Sequence, residues 1–207
     1  EARAIAPDGG TFEVYHQGSP QGRAEWPQLG LHNVHNALAA LAAARHAGVA
    51  MATALAALAD FQGIKRRLET RGTVNGVTVY DDFAHHPTAI ATTLAGLRAR
   101  VGDQPIVAVL EPRSNTMKLG VFKDSLAPAL ALADAVVLYQ APDLGWDLGV
   151  VAAALGPRGQ VCHSLDDTLT AIHARTQPGT QVLIMSNGGF GGIHERLLRK
   201  LRADADA

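Results

Sequence analysis

The sequence predicts an α/β fold, a mostly parallel sheet with helices on both faces. Two observations lead there. After residue 61, short apolar runs alternate with helical runs, as strands joined by crossover helices do. The stretch Tyr80-Asp81-Asp82-Phe83-Ala84-His85-His86-Pro87-Thr88 takes an apolar strand into two carboxylates, two imidazoles and a helix-starting proline. Polar groups gathered at the carboxyl end of a strand lie where open α/β sheets bind their ligands.

The elements follow in order. Asp8-Gly9-Gly10 is a turn signal, with Thr11 to Tyr15 as a hairpin strand after it. A helix is predicted from about Asn33 to Ala47, with Val34, Leu38, Leu41 and Ala42 on one face and Gly48 as its stop. A second helix covers about Met51 to Leu58. Leu68 to Val74 and Val77 to Tyr80 flank Asn75-Gly76, the strongest short hairpin signal. Pro87 has no N–H to lose, so a helix starts there, runs through about Leu97 and extends near residue 100. Ile106 to Leu110, Ala135 to Tyr139, Gln160 to Cys162 and Val182 to Met185 are short buried strands. Helical runs near residues 123–132, 147–155 and 166–175 separate them, and an amphipathic helix over about Ile193 to Leu201 follows.

Composition narrows the function classes. A chain of 207 residues, 47% hydrophobic and 18% charged, can bury a substantial core. A net charge of -1 supplies no basic field for nucleic acid or an anionic membrane, so phosphate binding has to be local. No window of about 18 uninterrupted apolar residues suggests a membrane span. The lone Cys162 has no internal disulfide partner and lies in an apolar neighbourhood, which fits a buried position in a reduced, cytoplasmic protein. The chain starts at Glu1 in a strand-and-turn region without an initiating Met or a signal peptide, and is expected to be part of a longer protein.

Three further segments carry chemistry. Phe61-Gln62-Gly63-Ile64-Lys65-Arg66-Arg67-Leu68-Glu69 joins the two regions with three consecutive cations, a linker that could meet a nucleotide or could be plain solvated surface. Leu110-Glu111-Pro112-Arg113-Ser114-Asn115-Thr116-Met117-Lys118 follows a strand and collects donors suited to carboxylates; an ordinary polar loop is the alternative. Ser186-Asn187-Gly188-Gly189-Phe190-Gly191-Gly192 opens the last helix, and its glycines let backbone approach a ligand. That spacing is not a dinucleotide fingerprint, and the P-loop lysine is missing. At Asp81 to His86, simple helix capping competes with a binding role. A metal on the adjacent histidines is disfavoured, because helical ligand pairs are commonly spaced i and i+4.

Together these segments, with Gly30-Leu31-His32-Asn33-Val34-His35-Asn36-Ala37-Leu38-Ala39-Ala40, resemble the Mur ligase family of ATP-dependent amide-forming enzymes. The resemblance covers nearly the whole chain. Lys65 to Glu69, Tyr80 to Ile90 and Leu110 to Gly120 are most similar to members that join a murein tripeptide to UDP-N-acetylmuramate in cell-wall recycling. It implies that residues 1–64 are the helical end of a central ATPase domain plus linker, and that 65–207 are a Rossmann-like C-terminal domain. It further implies Asn36 on adenine, Arg67 on the nucleotide phosphates, Asp82 on the ribose and His85 near the phosphates. Arg113, Ser114, Asn115, Ser186 and Asn187 are the implied peptide-binding residues.

The implied chemistry is activation of the muramate lactyl carboxylate by the γ-phosphate of ATP, giving an acyl phosphate that the tripeptide amine attacks. Such a reaction depends on positioning and on charge neutralisation by cations and Mg²⁺. The phosphate loop, the Mg²⁺ ligands and the UDP-sugar domain are expected upstream, so no catalytic or metal residue is assigned within 1–207, and these residues alone are expected to be inactive. Two alternatives stand. One is another ligase of the superfamily, adding L-alanine to UDP-N-acetylmuramate or glutamate to a folate; the other is a non-enzymatic nucleotide- or peptide-binding module.

Overall fold

The computed structural model describes residues 1–203, which divide into two compact units. One comprises Glu1–Ile64 with Ala95–Gly102, and the other Lys65–Leu94 with the residues from Asp103 on.

In the first unit, β1 (Ala2–Arg3), β2 (Thr11–His16) and β3 (Ser19–Glu25) form an antiparallel sheet in the order β1-β2-β3. Phe12 and Val14 alternate inward from β2 and meet Ala24 of β3. Helix α1 (Leu31–His46) supplies Val34, Ala37 and Leu41 from one face, and α2 (Met51–Ala59) adds Ala54. Gly48 follows α1 at a φ of +86°, a backbone state glycine adopts without strain, which explains the stop. Strand β3 was not expected from sequence. Its Ser-Pro-Gln-Gly-Arg-Ala-Glu run buries a single side chain, Ala24, and shows no apolar alternation.

The second unit contains β4 (Glu69–Val74), β5 (Val77–Asp82), β6 (Ile106–Glu111), β7 (Ala135–Tyr139), β8 (Gly159–Cys162) and β9 (Gln181–Ser186) in one six-stranded sheet ordered β4-β5-β9-β6-β7-β8. Strand β4 pairs antiparallel with β5 and the remaining pairs are parallel, as the alternation predicts. Asn75 and Gly76 both take positive φ between β4 and β5, as a tight hairpin turn requires. Helix α3 (Pro87–Val101) begins in this unit and belongs to the first from Ala95 on, and α4 (Asn115–Lys118), α5 (Lys123–Ala129), α6 (Gly149–Leu155), α7 (Leu165–His173) and α8 (Ile193–Ala203) complete the order.

Side chains of α7 and α8, among them Leu169, Ile172, Leu197 and Leu201, share one core with Val79, Val107, Val109, Val182 and Ile184. The alternate strand residues Ala108, Leu110, Leu183 and Met185 are also fully buried, so both sheet faces are covered. Cys162 is buried as expected, and burial raises its thiol pKa. No helix of the described residues is long and apolar enough to cross a membrane.

Several helices are shorter than their sequence patterns. Helix α5 ends at Ala129, one residue past Pro128, whose missing N–H weakens the last turn. Helix α6 starts at Gly149, whose N–H donates to Asp147 Oδ1 at 2.7 Å, so Asp147 lies before the helix. Ser164 caps α7 by accepting from the Asp167 N–H.

The sheet order sets the site. Strand β9, last in sequence, inserts between β5 and β6, so three carboxyl ends stand side by side, with Asp82 opposite Met185 and Glu111 opposite Ser186.

Candidate functional site

The end of β5 carries two aspartates that alternate to opposite faces of the sheet. Asp82 is 3% exposed and accepts from backbone on both oxygens, from Leu68 N–H at 2.7 Å and Ala84 N–H at 2.7 Å. Burial raises its pKa, against the pull of those two N–H groups and of nearby Arg67. The bonds also hold the turn before β4, where Arg66 and Leu68 take positive φ of 60° and 50°. Phe83 is the hub of this end. Arg67 places its guanidinium 5.6 Å from the ring centroid, and the His85 ring meets Phe83 edge-on at 5.3 Å. His85 Nδ1 lies 2.9 Å from the Phe83 carbonyl.

Asp81 faces the other way, toward α8. Its Oδ1 lies 3.4 Å from both Arg66 Nε and His194 Nε2, and its Oδ2 lies 3.5 Å from Arg71 Nη1. A bulge in β4 between Thr70 and Gly72 turns Arg71 toward Asp81 and Glu195. Burial pushes the Asp81 carboxyl up, but His194 and Arg66 outweigh it and hold the pKa below the ordinary value. His194 Nε2 is buried and makes no hydrogen bond, although Asp81 Oδ1 lies 3.4 Å away. A cavity of about 270 Å³ opens here, lined by Arg66, Arg71, Asp81, Gly188, His194 and Glu195 among others.

Arg66 reaches from the linker turn across to the β9 loop. Its Nη2 donates to the Ser186 carbonyl at 2.5 Å and to the Gly188 carbonyl at 2.7 Å. Its guanidinium also lies 5.2 Å from the Phe83 ring centroid.

At the ends of β6 and β9, Glu111 is 5% exposed and accepts from the Ser186 hydroxyl, which in turn accepts from Gly188 N–H at 2.9 Å. Arg113 Nη1 lies 3.8 Å from the other Glu111 oxygen, with its side chain half exposed. Arg113 lies against Gly188 so closely that a Cβ there would be 2.5 Å from Arg113 Cδ. Ser114 caps α4, accepting from Met117 N–H at 3.4 Å, and Asn115 opens that helix with an exposed side chain. Asn187 Oδ1 is buried without a hydrogen-bond partner.

Of the residues singled out from sequence, Arg67, Asp82 and His85 converge at the β5 end, and Arg113, Ser186 and Asn187 belong to the adjoining loops of β6 and β9. Asn36 lies on α1 in the first unit, where its amide donates to Asn33 Oδ1 at 3.2 Å. Sequence reasoning did not single out Arg66, Glu111 or His194 individually. Glu111 acquires its partner through the β6–β9 pairing, which strand alternation does not reveal. Arg66 and Arg67 are indistinguishable in sequence as a cationic pair; in the structure both lie by the Phe83 ring, and Arg66 alone bonds the Ser186 and Gly188 carbonyls while Arg67 is exposed.

A family model described as "Mur ligase, glutamate ligase domain" matches residues 66–188. The chain is 50% identical over 208 residues to the UDP-N-acetylmuramate–L-alanyl-γ-D-glutamyl-meso-2,6-diaminoheptandioate ligase of Escherichia coli (strain K12), an alignment covering 100% of this chain and 46% of that protein. It is also 50% identical to the ligase of the same name from Haemophilus influenzae (strain ATCC 51907 / DSM 11121 / KW20 / Rd), over 97% of this chain and 45% of that one. The crystal structure of a murein peptide ligase from Psychrobacter arcticus 273-4 superposes with a TM-score of 0.70 at 46% identity, covering 97% of this chain and 43% of that one. The chain thus spans about half the length of the curated relatives it matches. The matched segment runs from the guanidinium at Arg66 to the carbonyl it holds at Gly188 and takes in more than half of the sequence, which makes this chain a member of the Mur ligase family.

Proposed function

We propose that this chain is the C-terminal part of an ATP-dependent ligase that joins L-alanyl-γ-D-glutamyl-meso-diaminopimelate to UDP-N-acetylmuramate in peptidoglycan recycling, a cytoplasmic reaction. Residues 1–64 are the end of the central ATPase domain with its linker, and 65–207 are the domain that presents the amine. Arg67, Asp82 and His85, with Asn36 of the preceding domain, contact ATP. Arg113, Ser114, Asn115, Ser186 and Asn187 hold the peptide.

The observation that carries this reading is the convergence of Arg113 and the Ser186 loop around buried Glu111, one strand away from the end that presents Arg67. A peptide with several carboxylates needs a cation beside backbone and side-chain donors, and Arg113 at that junction supplies it. Arg67 is exposed, so its charge is accessible to a phosphate. Asp82 already accepts from two backbone groups, and a ribose hydroxyl donates to a remaining lone pair. Mg²⁺ and the phosphate loop belong in this reading to ligands upstream of these residues.

Phosphate release by the full-length protein with ATP, Mg²⁺ and UDP-N-acetylmuramate tests this, with the tripeptide and free L-alanine compared as acceptors. Tripeptide-dependent release is expected. Release with alanine alone would move the chain to the alanine-adding ligases, and release with neither would leave a binding module. Residues 1–207 alone are predicted to show no turnover.

A further inference from the structure

We propose that Arg66 is a positioning residue that sets the acceptor loop from the nucleotide side of the site, a role that rests on the ligase reading above. Its backbone is fixed on one side and its side chain acts on the other. The Arg66 N–H donates to Glu69 Oε2 at 2.8 Å and its carbonyl accepts from Phe83 N–H at 2.8 Å. These bonds hold a positive φ of 60° that no glycine relieves. The same turn presents the next residue, Arg67, to the nucleotide.

From that anchored backbone the guanidinium reaches the β9 loop, its Nη2 donating to the carbonyls of both Ser186 and Gly188 and its Nε lying 3.4 Å from Asp81. Gly188 is the piece of backbone against which Arg113 lies, and a Cβ at that position would displace the Arg113 side chain. A chain of direct contacts therefore runs from the turn of Arg67 through Arg66 and Gly188 to Arg113. Its middle link is a planar donor meeting two carbonyls and a carboxylate at once. Lysine cannot replace that link, because its one ammonium cannot stand both where Nη2 meets the two carbonyls and where Nε meets Asp81. Moving the Gly188 carbonyl moves the surface on which Arg113 rests, and with it the cation that receives a peptide carboxylate.

The test uses the full-length protein and steady-state phosphate release, with KM measured separately for ATP and for tripeptide in wild type, Arg66→Lys and Gly188→Ala. Gly188→Ala leaves Arg66 in place and displaces Arg113 directly, so a wild-type tripeptide KM in that variant breaks the last contact of the chain and overturns the proposal even should Arg66→Lys fail to fold. Loss of the Arg66 bonds in Arg66→Lys, and displacement of Arg113 in Gly188→Ala, each predict a tripeptide KM raised about tenfold, with the KM for ATP changed by less than about twofold. A merely structural role would reduce the folded fraction, and so the turnover, while leaving both KM values in place. A wild-type tripeptide KM in either folded variant, or an ATP KM that rises as far as the tripeptide KM, overturns the proposal while the ligase reading stands. Absence of tripeptide-dependent release by the wild-type protein sinks the reading and the proposal together.

Discussion

At the end of β5 the buried carboxylate, Asp82, is met at 2.7 Å by the backbone N–H groups of Leu68 and Ala84, with the Thr93 hydroxyl farther off at 3.5 Å, whereas at the ends of β6 and β9 the hydrogen bonds and ion pairs of the buried carboxylate, Glu111, come among the described residues from the side chains of Ser186 and Arg113 alone. Backbone donors are fixed by the chain path, while a hydroxyl and a half-exposed guanidinium can turn. The β5 end is therefore built rigid and carries Arg67 and His85 around Phe83. The β6–β9 end keeps adjustable parts, including a buried Asn187 oxygen that still lacks a donor. Such a division suits the proposed site, in which the β5 end takes an invariant nucleotide and the β6–β9 end positions a large flexible peptide.

The largest expected effect breaks the rigid end. Asp82→Ala leaves two backbone N–H groups without their acceptor and frees a turn with two positive-φ residues, so thermal unfolding of the full-length protein should show a loss of about 2–4 kcal/mol, along with weakened use of ATP. A loss below about 0.5 kcal/mol would put the two ends on a par and end the comparison. Glu111→Gln should cost less, about 1 kcal/mol, because it keeps an acceptor for Ser186 and gives up a charge contact to the half-exposed Arg113 at 3.8 Å. Its main readout should be a raised tripeptide KM.

The adjacent aspartates sharpen the comparison through pH. Asp81 has a folded pKa below its unfolded one, so its contribution to stability is complete above the ordinary carboxylate range and is lost as pH falls through the folded value. Asp82 has a folded pKa above its unfolded one, so its contribution is complete below the ordinary range and is lost as pH rises through the folded value. Tm measured against pH should fall less steeply on the acid side in Asp81→Asn than in wild type, while Asp82→Asn should steepen that side. Equal slopes in all three proteins would contradict both assignments. The smallest effect belongs to Ser114→Ala, which removes a long cap contact of 3.4 Å and should lower stability by about 0.5 kcal/mol in the same unfolding measurement.

Much of this architecture is legible in the sequence because its signals are local. The Asn75-Gly76 turn, the Pro87 helix start and the apolar runs of β6, β7 and β9 each announce themselves within a few residues. Strand β3 is missed because a polar edge strand with one buried alanine has no period to read. The site is legible in part for the same reason. Asp82 and His85 stand out beside Pro87, but the partners of Glu111 and Arg66 depend on β9 entering between β5 and β6, an order set by packing among distant segments.

The most direct test of the account is a pair of Michaelis constants, for ATP and for tripeptide, measured in the full-length protein carrying Arg67→Ala or Arg113→Ala. Removal of one charged contact predicts an ATP KM raised about tenfold in Arg67→Ala with the tripeptide KM held within about twofold, and the reverse in Arg113→Ala. Both constants rising together in both variants, or the two effects exchanged, would contradict the assignment of the β5 end to nucleotide and the β6–β9 end to peptide.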